Sequence, residues 1–489
     1  MPSLLRHVLL AALAAMLPGA CAVNPVTGQS DFVLMSEEQE IKIGRDAAPQ
    51  IIKEFGQYEG QALQDYVQRV GEKLAANSHR ANLVYRFTVL DTADVNAFAL
   101  PGGYIYITRG LLAYLDSEAE LAAVLGHEIG HVTARHSVRQ QSAAQAADLG
   151  YTLGSILLPE LRNQAAQQAF SVVGGALLSG YGREHELEAD RLGAEYLAQS
   201  GYDPQAIIKV IRVLKDQESF ERQLAREEGR EARVYHGLFA THPDNDTRLQ
   251  QVVASAERFR SGHTTEVRRD DYLRALDGLT FGDSEKEGVR RGSAFYHADL
   301  GFALNFPEGW RVENRPSQVA ASAPGNAATL HLFAEDINQR IPPEQFLRTR
   351  LKLSKLERGE SFTHQDMPGY TAIASTRSPF GVRPVRFTAL YFNNKAYIFA
   401  GAAKDERNPY AYDADFLGAA RSFRALTERE KPLATALKLK VIRAKPGVSF
   451  ARLARESGLP HHAEEQLRLL NQLYPDGEPH PGSLIKTVH

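Results

Sequence analysis

The sequence predicts an α+β protein with a helix-rich first half, a strand-rich second half and a short final unit. Three observations carry that expectation. The run from Ser117 to Val132 spaces its apolar residues at helical intervals. Tyr85–Asp91 alternates apolar and polar residues instead, as a half-buried strand does. From Arg291 to about Leu426 the texture changes to short strands divided by turn residues.

The 489 residues are enough for two or three domains, and 43% hydrophobic with 24% charged is ordinary globular composition. A formal charge of −3 and the lack of a basic stripe offer no case for nucleic-acid binding. Arg6 and His7, the apolar run Val8–Leu17 and Pro18-Gly19-Ala20 read as a secretory signal over residues 1–20, too short to span a membrane. Cys21, the single cysteine, has no internal disulfide partner. Its place at the end of the signal predicts a lipidated N-terminus, although Pro18 stands where a lipobox leucine is usual.

Residues 21–35 read as a polar lead-in. Ser36 with Gln39 has the spacing of a capping box and predicts a helix start; a second helix is expected near Gln61–Asn77. Asn96–Leu100 and Tyr104–Thr108 read as two strands around the turn Pro101-Gly102-Gly103. Ser117 with Glu120 repeats the capping pattern at the head of the next helix, and Leu121, Val124, Leu125 and Ile129 give it an apolar face. Gln140–Gly182, rich in Ala, Gly and Gln, reads as a cover over a cleft, since polar residues interrupt each apolar run. Helices follow at Glu184–Gln199 and Pro204–Arg226, and the stretch from Gly262 to Gly292 reads as a boundary. In the strand-rich part, Phe302–Phe306, Thr329–Phe333, Tyr370–Thr376, Pro384–Phe392 and Lys395–Gly401 are expected strands, with helices near Pro343–Leu356 and Tyr412–Phe423. The lysine-rich link Lys431–Lys445 leads into the final unit.

The chemistry sits in the third helix. His127, Glu128 and His131 form an H-E-x-x-H string, with the two histidines at i and i+4 on one helix face. Two imidazoles so placed hold one zinc ion, and Glu128 is then the general base toward an attacking water. The implied reaction is hydrolysis of a peptide bond. A catalytic zinc needs a third protein ligand, and Glu184, Glu186, Glu188 and Asp190 all offer carboxylates on the next helix. His136, five residues past His131, lies off its face and reads as structural; His185 reads as a bystander.

With His-Glu-Ile-Gly-His followed by Arg183-Glu184-His185-Glu186-Leu187-Glu188-Ala189-Asp190, the chain resembles the HtpX and CAAX-prenyl-endopeptidase group of gluzincins, peptidase family M48. Asn96–Gly103, Gly110-Leu111-Leu112, Thr241-His242-Pro243 and Arg248 agree with it, and Asn24-Pro25-Val26-Thr27-Gly28 resembles its BepA-like periplasmic lipoprotein members. The resemblance implies a zincin-type fold, one Zn2+ per chain and Glu186 as third ligand, with Asp190 and Arg248 supporting the ligands from behind. It implies that His242 is a fourth ligand or a regulator, or else anchors a loop. It also implies that the strand holding Asn96, Ala97 and Phe98 takes substrate by strand addition. Gly182 stands where the family usually has serine.

Val441–Gly447, Phe450–Ala454, Leu467, Leu470-Asn471 and Pro481–Lys486 resemble a LysM module, a β-α-α-β unit that binds peptidoglycan glycans, with Ser449 replacing the usual Asp-Thr pair. The middle part is similar to the PsbP-type or Mog-type α/β fold. The expected organisation is therefore a signal peptide over 1–20, a lead-in over 21–35 and a mostly helical zinc metallopeptidase domain with a small sheet over 36–262. An α+β antiparallel-sheet domain over 291–426 and a LysM-like unit over 438–489 follow. The expected function is endopeptidase action on misfolded envelope proteins in the bacterial periplasm, with a lipid anchor on Cys21 in the outer membrane. The alternatives are a latent chaperone or scaffold bound to peptidoglycan, and a peptidoglycan amide hydrolase.

Overall fold

A computed structural model describes residues 21–143, 145, 182–227 and 266–489, apart from 316, 354 and 460. The lead-in forms a two-stranded antiparallel hairpin, β1 (Cys21–Val23) and β2 (Ser30–Phe32). Helix α1 (Glu37–Phe55) opens on a complete capping box between Ser36 and Gln39, and α2 (Gln61–Ala75) follows. Strands β3 (Arg86–Leu90), β4 (Ala97–Leu100) and β5 (Tyr104–Thr108) form a sheet in the order β3-β5-β4. β3 runs parallel to β5 and β4 antiparallel to it, so β4 is an edge among the described residues. The β4–β5 turn needs glycine: Gly102 has φ +79°, and a Cβ there would lie 2.6 Å from the Ile41 Cα.

A short helix, α3 (Arg109–Tyr114), leads to α4 (Glu118–Thr133), the centre of the domain. The sequence predicts one buried face for α4; every one of its residues is buried. Its neighbours are α2, the sheet, α5 (Arg183–Gln199) and α6 (Ala206–Glu227), which leave it no solvent face. Its polar residues are therefore paired. Glu118 accepts hydrogen bonds from the Tyr66 and Tyr202 hydroxyls at 2.5 and 2.7 Å. Ser117 Oγ caps the Glu120 N–H as expected, and the Glu120 carboxylate takes the Asp116 N–H at 2.8 Å.

The stretch expected as a boundary between 262 and 292 differs from that expectation. There α7 (Arg269–Ala275) sends Tyr272 and Leu273 into the same core as α4, with Leu276 and Leu279 just beyond it. β6 (Thr280–Phe281) then pairs with the final unit. Strands β7 (Val289–Arg291), β8 (Ala294–His297) and β9 (Phe302–Asn305) begin the middle part. Its main sheet holds β10 (Arg311–Arg315), β11 (Gln318–Ser322), β12 (Ala328–Asp336), β13 (Glu357–His364), β14 (Met367–Ser378), β15 (Gly381–Phe392) and β16 (Lys395–Ala403). It is fully antiparallel, in the order β10-β11-β12-β16-β15-β14-β13. Both faces are covered, and alternation along β16 serves both. Tyr397 and Phe399 pack toward α9 (Asp413–Arg421), while Ala396 and Ile398 pack toward α8 (Pro343–Arg350). β17 (Arg424–Ala425) joins β9 at the edge of the smaller sheet.

The final unit runs strand–helix–helix–strand: β18 (Leu437–Arg443), α10 (Phe450–Glu456), α11 (Ala463–Leu470) and β19 (Leu484–Val488). It is not a separate body. Phe450, Leu467, Leu470 and Ile485 belong to the same hydrophobic core as the α4 residues. The fully buried Lys486 ammonium donates to the Ala113 and Leu115 carbonyls at 2.9 and 2.7 Å. Burial lowers its pKa to about 8 against the pull of Asp116 and Glu120. Among the described residues, no helix is long and apolar enough to cross a membrane.

Candidate metal centre

Two helices build the site. α4 carries His127 and His131 one turn apart, and α5 brings Glu186 across to them. The close approach depends on small residues: a Cβ at Gly193 would lie 3.1 Å from the His127 N, and one at Gly130 would lie 3.0 Å from the Ala189 O. His127 Nε2 and His131 Nε2 stand 3.0 Å apart. The Glu186 carboxylate faces both rings: its Oε2 lies 3.5 Å from His127 Nε2 and its Oε1 lies 3.4 Å from His131 Nε2. Four ligands at zinc–nitrogen and zinc–oxygen lengths of about 2.0–2.1 Å in a tetrahedron lie roughly 3.3 Å from one another. The Nε2–Nε2 separation and the two nitrogen-to-carboxylate separations are of that size.

Charge points the same way. Glu128 and Glu186 are fully buried and Asp190 nearly so, at 1% exposure. Three buried carboxylates beside two imidazoles call for a compensating cation. Among the described residues, His127, His131 and Glu186 are a group of side chains able to hold a metal ion.

Each histidine is held from behind by its other nitrogen. His127 Nδ1 lies 2.8 Å from Asp190 Oδ1, the supporting position expected for Asp190. Burial opposes charge on that ring, yet the Asp190 and Glu186 carboxylates outweigh it and raise its pKa to about 10. His131 Nδ1 lies 2.8 Å from His136 Nδ1, and His136 Nε2 lies 3.0 Å from Glu188 Oε2. The sequence offers Glu188 as a rival carboxylate for the metal; in the structure it pairs instead with His136, which reads as structural and stands behind His131. The cause is Arg135: its φ of +55° ends the helical path after α4 and turns His136 back toward the site. His185 stacks on His136 with ring centroids 4.3 Å apart. The His136 hydrogen bond holds the Glu188 pKa down at about 2.

The remaining expected residues fall elsewhere. Ala97 and Phe98 lie on the edge strand β4 with Asn96 just before it; Ala97 is buried and Phe98 stacks on Tyr106 at 5.1 Å. Glu184 is exposed. Cys21 begins β1. His242, Arg248 and the expected cover over Gln140–Gly182 lie outside the described residues, except for the ends of that cover.

The Peptidase family M48 model matches residues 61–256, which include His127, His131 and Glu186. The beta-barrel assembly-enhancing protease of Escherichia coli K12 is 30% identical over 350 residues, 67% of this chain and 69% of that protein. The chain belongs to peptidase family M48. This M48 metallopeptidase is also 32% identical over 263 residues to the beta-barrel assembly-enhancing protease of Yersinia pestis, and that match spans half of the Yersinia protein. It is 28% identical over 233 residues to the mitochondrial metalloendopeptidase OMA1 of Schizosaccharomyces pombe, 47% of this chain and 64% of that one. The solved structure of Synechocystis PsbP covers 28% of this chain and 95% of its own at 15% identity and a TM-score of 0.22.

Proposed function

We propose that this peptidase is a zinc-dependent endopeptidase of the bacterial periplasm that cleaves misfolded envelope proteins. The observation that carries the reading is the buried cluster of His127 Nε2, His131 Nε2 and the Glu186 carboxylate, with separations of 3.0, 3.4 and 3.5 Å and Glu128 buried on the same helix. The envelope setting is supported by relatives named beta-barrel assembly-enhancing proteases and by the signal-like first 20 residues.

Zinc, when bound, supplies a Lewis acid that polarises the peptide carbonyl and acidifies water. The chain supplies the rest. Glu128 takes a proton from the attacking water on its carboxylate and returns it to the leaving amine nitrogen. Asp190 orients His127, and the packed α4–α5 contact keeps bulk water from the ligand nitrogens. Among the described residues β4, with Asn96 just before it and Ala97 and Phe98 in it, is the edge of its sheet, and there an extended substrate adds as a further strand.

The test offers unfolded casein and cell-wall sacculi to the zinc-loaded full chain and to Glu128→Gln. The expected result is casein cleavage that falls by roughly 10²–10⁴-fold in Glu128→Gln while zinc content stays at one per chain. Casein cleavage that survives in Glu128→Gln, or none by the wild type, would sink the reading. Release of sacculus fragments in its place would favour a glycan-linked amidase.

A further inference from the structure

The two ligand histidines are braced differently. Asp190 meets His127 directly, but His131 meets a second imidazole before any carboxylate is reached. The path continues outward. Glu188 Oε2 takes His136 at 3.0 Å and Arg139 Nη1 at 3.3 Å, and Arg139 Nε lies 3.3 Å from Asp31 Oδ2 in β2. Asp31 in turn accepts from Asn24 Nδ2 at 2.7 Å, which closes the lead-in hairpin on itself.

Hydrogen-bond logic fixes one tautomer along this path. A neutral histidine that gives its Nε2 lone pair to a metal carries its hydrogen on Nδ1. His131 Nδ1 therefore donates, and His136 Nδ1 must accept. The His136 hydrogen is then on Nε2, where Glu188 accepts it. Every donor meets an acceptor, so the Glu188 charge acts through His136 to make His131 a stronger ligand. The burial gradient suits such a path: His131 and His136 are buried, Glu188 is 20% exposed and Arg139 28%.

We propose that His136 is a positioning residue that fixes the tautomer and ring of His131, and that the N-terminal lead-in completes the relay through Asp31 and Arg139. The inference rests on the zinc reading above. Two further contacts clamp the segment after α4 to the chain just past the hairpin. The Leu34 N–H donates to Ser142 Oγ at 3.0 Å, and Arg135 Nη2 donates to the Met35 carbonyl at 3.1 Å. Buried Glu40 adds a third hold, 2.9 Å from Arg135 Nε. The stacked His185 ring covers one face of His136 and leaves it little freedom to turn.

The experiment measures zinc affinity of the metal-stripped full chain by competition with a chromophoric chelator, with metal-free melting as the folding control. His136→Phe keeps a ring and loses both nitrogens, and is expected to weaken zinc roughly 10–100-fold. His136→Asn keeps an acceptor near the Nδ1 position and should recover part of that loss, which a merely space-filling role would not require. Glu188→Gln lies at the half-buried end and carries the test if His136→Phe fails to fold; about a 3–10-fold loss is expected. Asp31→Asn should weaken zinc on its own but add nothing to Glu188→Gln, because both act through one path. Wild-type zinc uptake with His136→Phe and Glu188→Gln within about twofold of it overturns the relay and leaves the zinc reading standing. Additive Asp31 and Glu188 losses remove the lead-in from it. A wild type that binds no zinc overturns both.

Discussion

At the scale of single residues, backbone conformation and burial decide roles that residue type leaves open. Arg135 in the left-handed region turns His136 from an off-face position into the partner of a ligand. His297 in β8 shows the effect of burial on a group far from the site. Burial lowers its pKa to about 4, and its Nδ1 accepts the Leu300 N–H at 3.3 Å. The folded chain resists the proton that the unfolded chain takes up near pH 6.5. The unfolded state therefore binds more protons between pH 6.5 and about 4, and stability must fall as pH falls through that window. At pH 5 the loss expected from His297 is roughly 2 kcal/mol. His297→Asn keeps an acceptor for Leu300 and removes the titration. Denaturant midpoints at pH 7 and pH 5 should lie closer together in that variant; an unchanged gap would mean that His297 does not titrate as described.

At the scale of elements, the site is a contact between α4 and α5. A helix buried on every side holds its two histidines rigidly, and glycine at positions 130 and 193 lets the second helix come close enough for Glu186 to reach both of them. Gly193→Val pushes methyl groups against the His127 backbone. It is expected to cost about 1–3 kcal/mol in chemical denaturation, as overpacking of a tight core does. Zinc affinity should fall with it, because Glu186 moves with α5. Wild-type stability together with wild-type affinity would show that the helices do not meet this closely. The strands of the middle part teach a complementary lesson. β14, β15 and β16 were legible as short apolar runs because both faces are packed against helices, and β12 by its alternation. β13 was not, since it is an edge whose residues are nearly all exposed, and exposed positions leave no apolar pattern to read.

At the scale of the whole molecule, the last residues of the chain help to support the first domain. Lys486 caps the carbonyls at the end of α3, and Gln472 reaches the Tyr114 carbonyl and the Glu120 carboxylate at the head of α4. Phe450 and Leu467 fill the same core as α4. The peptidase domain and the final unit should therefore unfold together. Phe450→Ala, which empties a fully buried position, is expected to cost about 3–5 kcal/mol and to lower the temperature at which peptidase activity is lost. Calorimetry that finds a separate, early transition for the final unit, with the peptidase transition unmoved, would contradict a shared core.

The sequence by itself determined the chemistry of the centre and the kinds of elements around it. An H-E-x-x-H string on a helical period can put two imidazoles only on one face, because 3.6 residues make a turn. The carboxylates after Arg183 offered a third ligand, and the family resemblance implied Glu186 among them. Distances between segments were another matter, since nothing local encodes them. Only the tertiary structure brought Glu186 within 3.5 Å of both histidines, made Glu188 and His136 partners, tied Asp31 to that pair through Arg139, and folded Lys486 beneath the head of α4. Those contacts come from packing between parts of the chain far apart in sequence, where size, close approach and the pairing of buried charge decide which side chains meet.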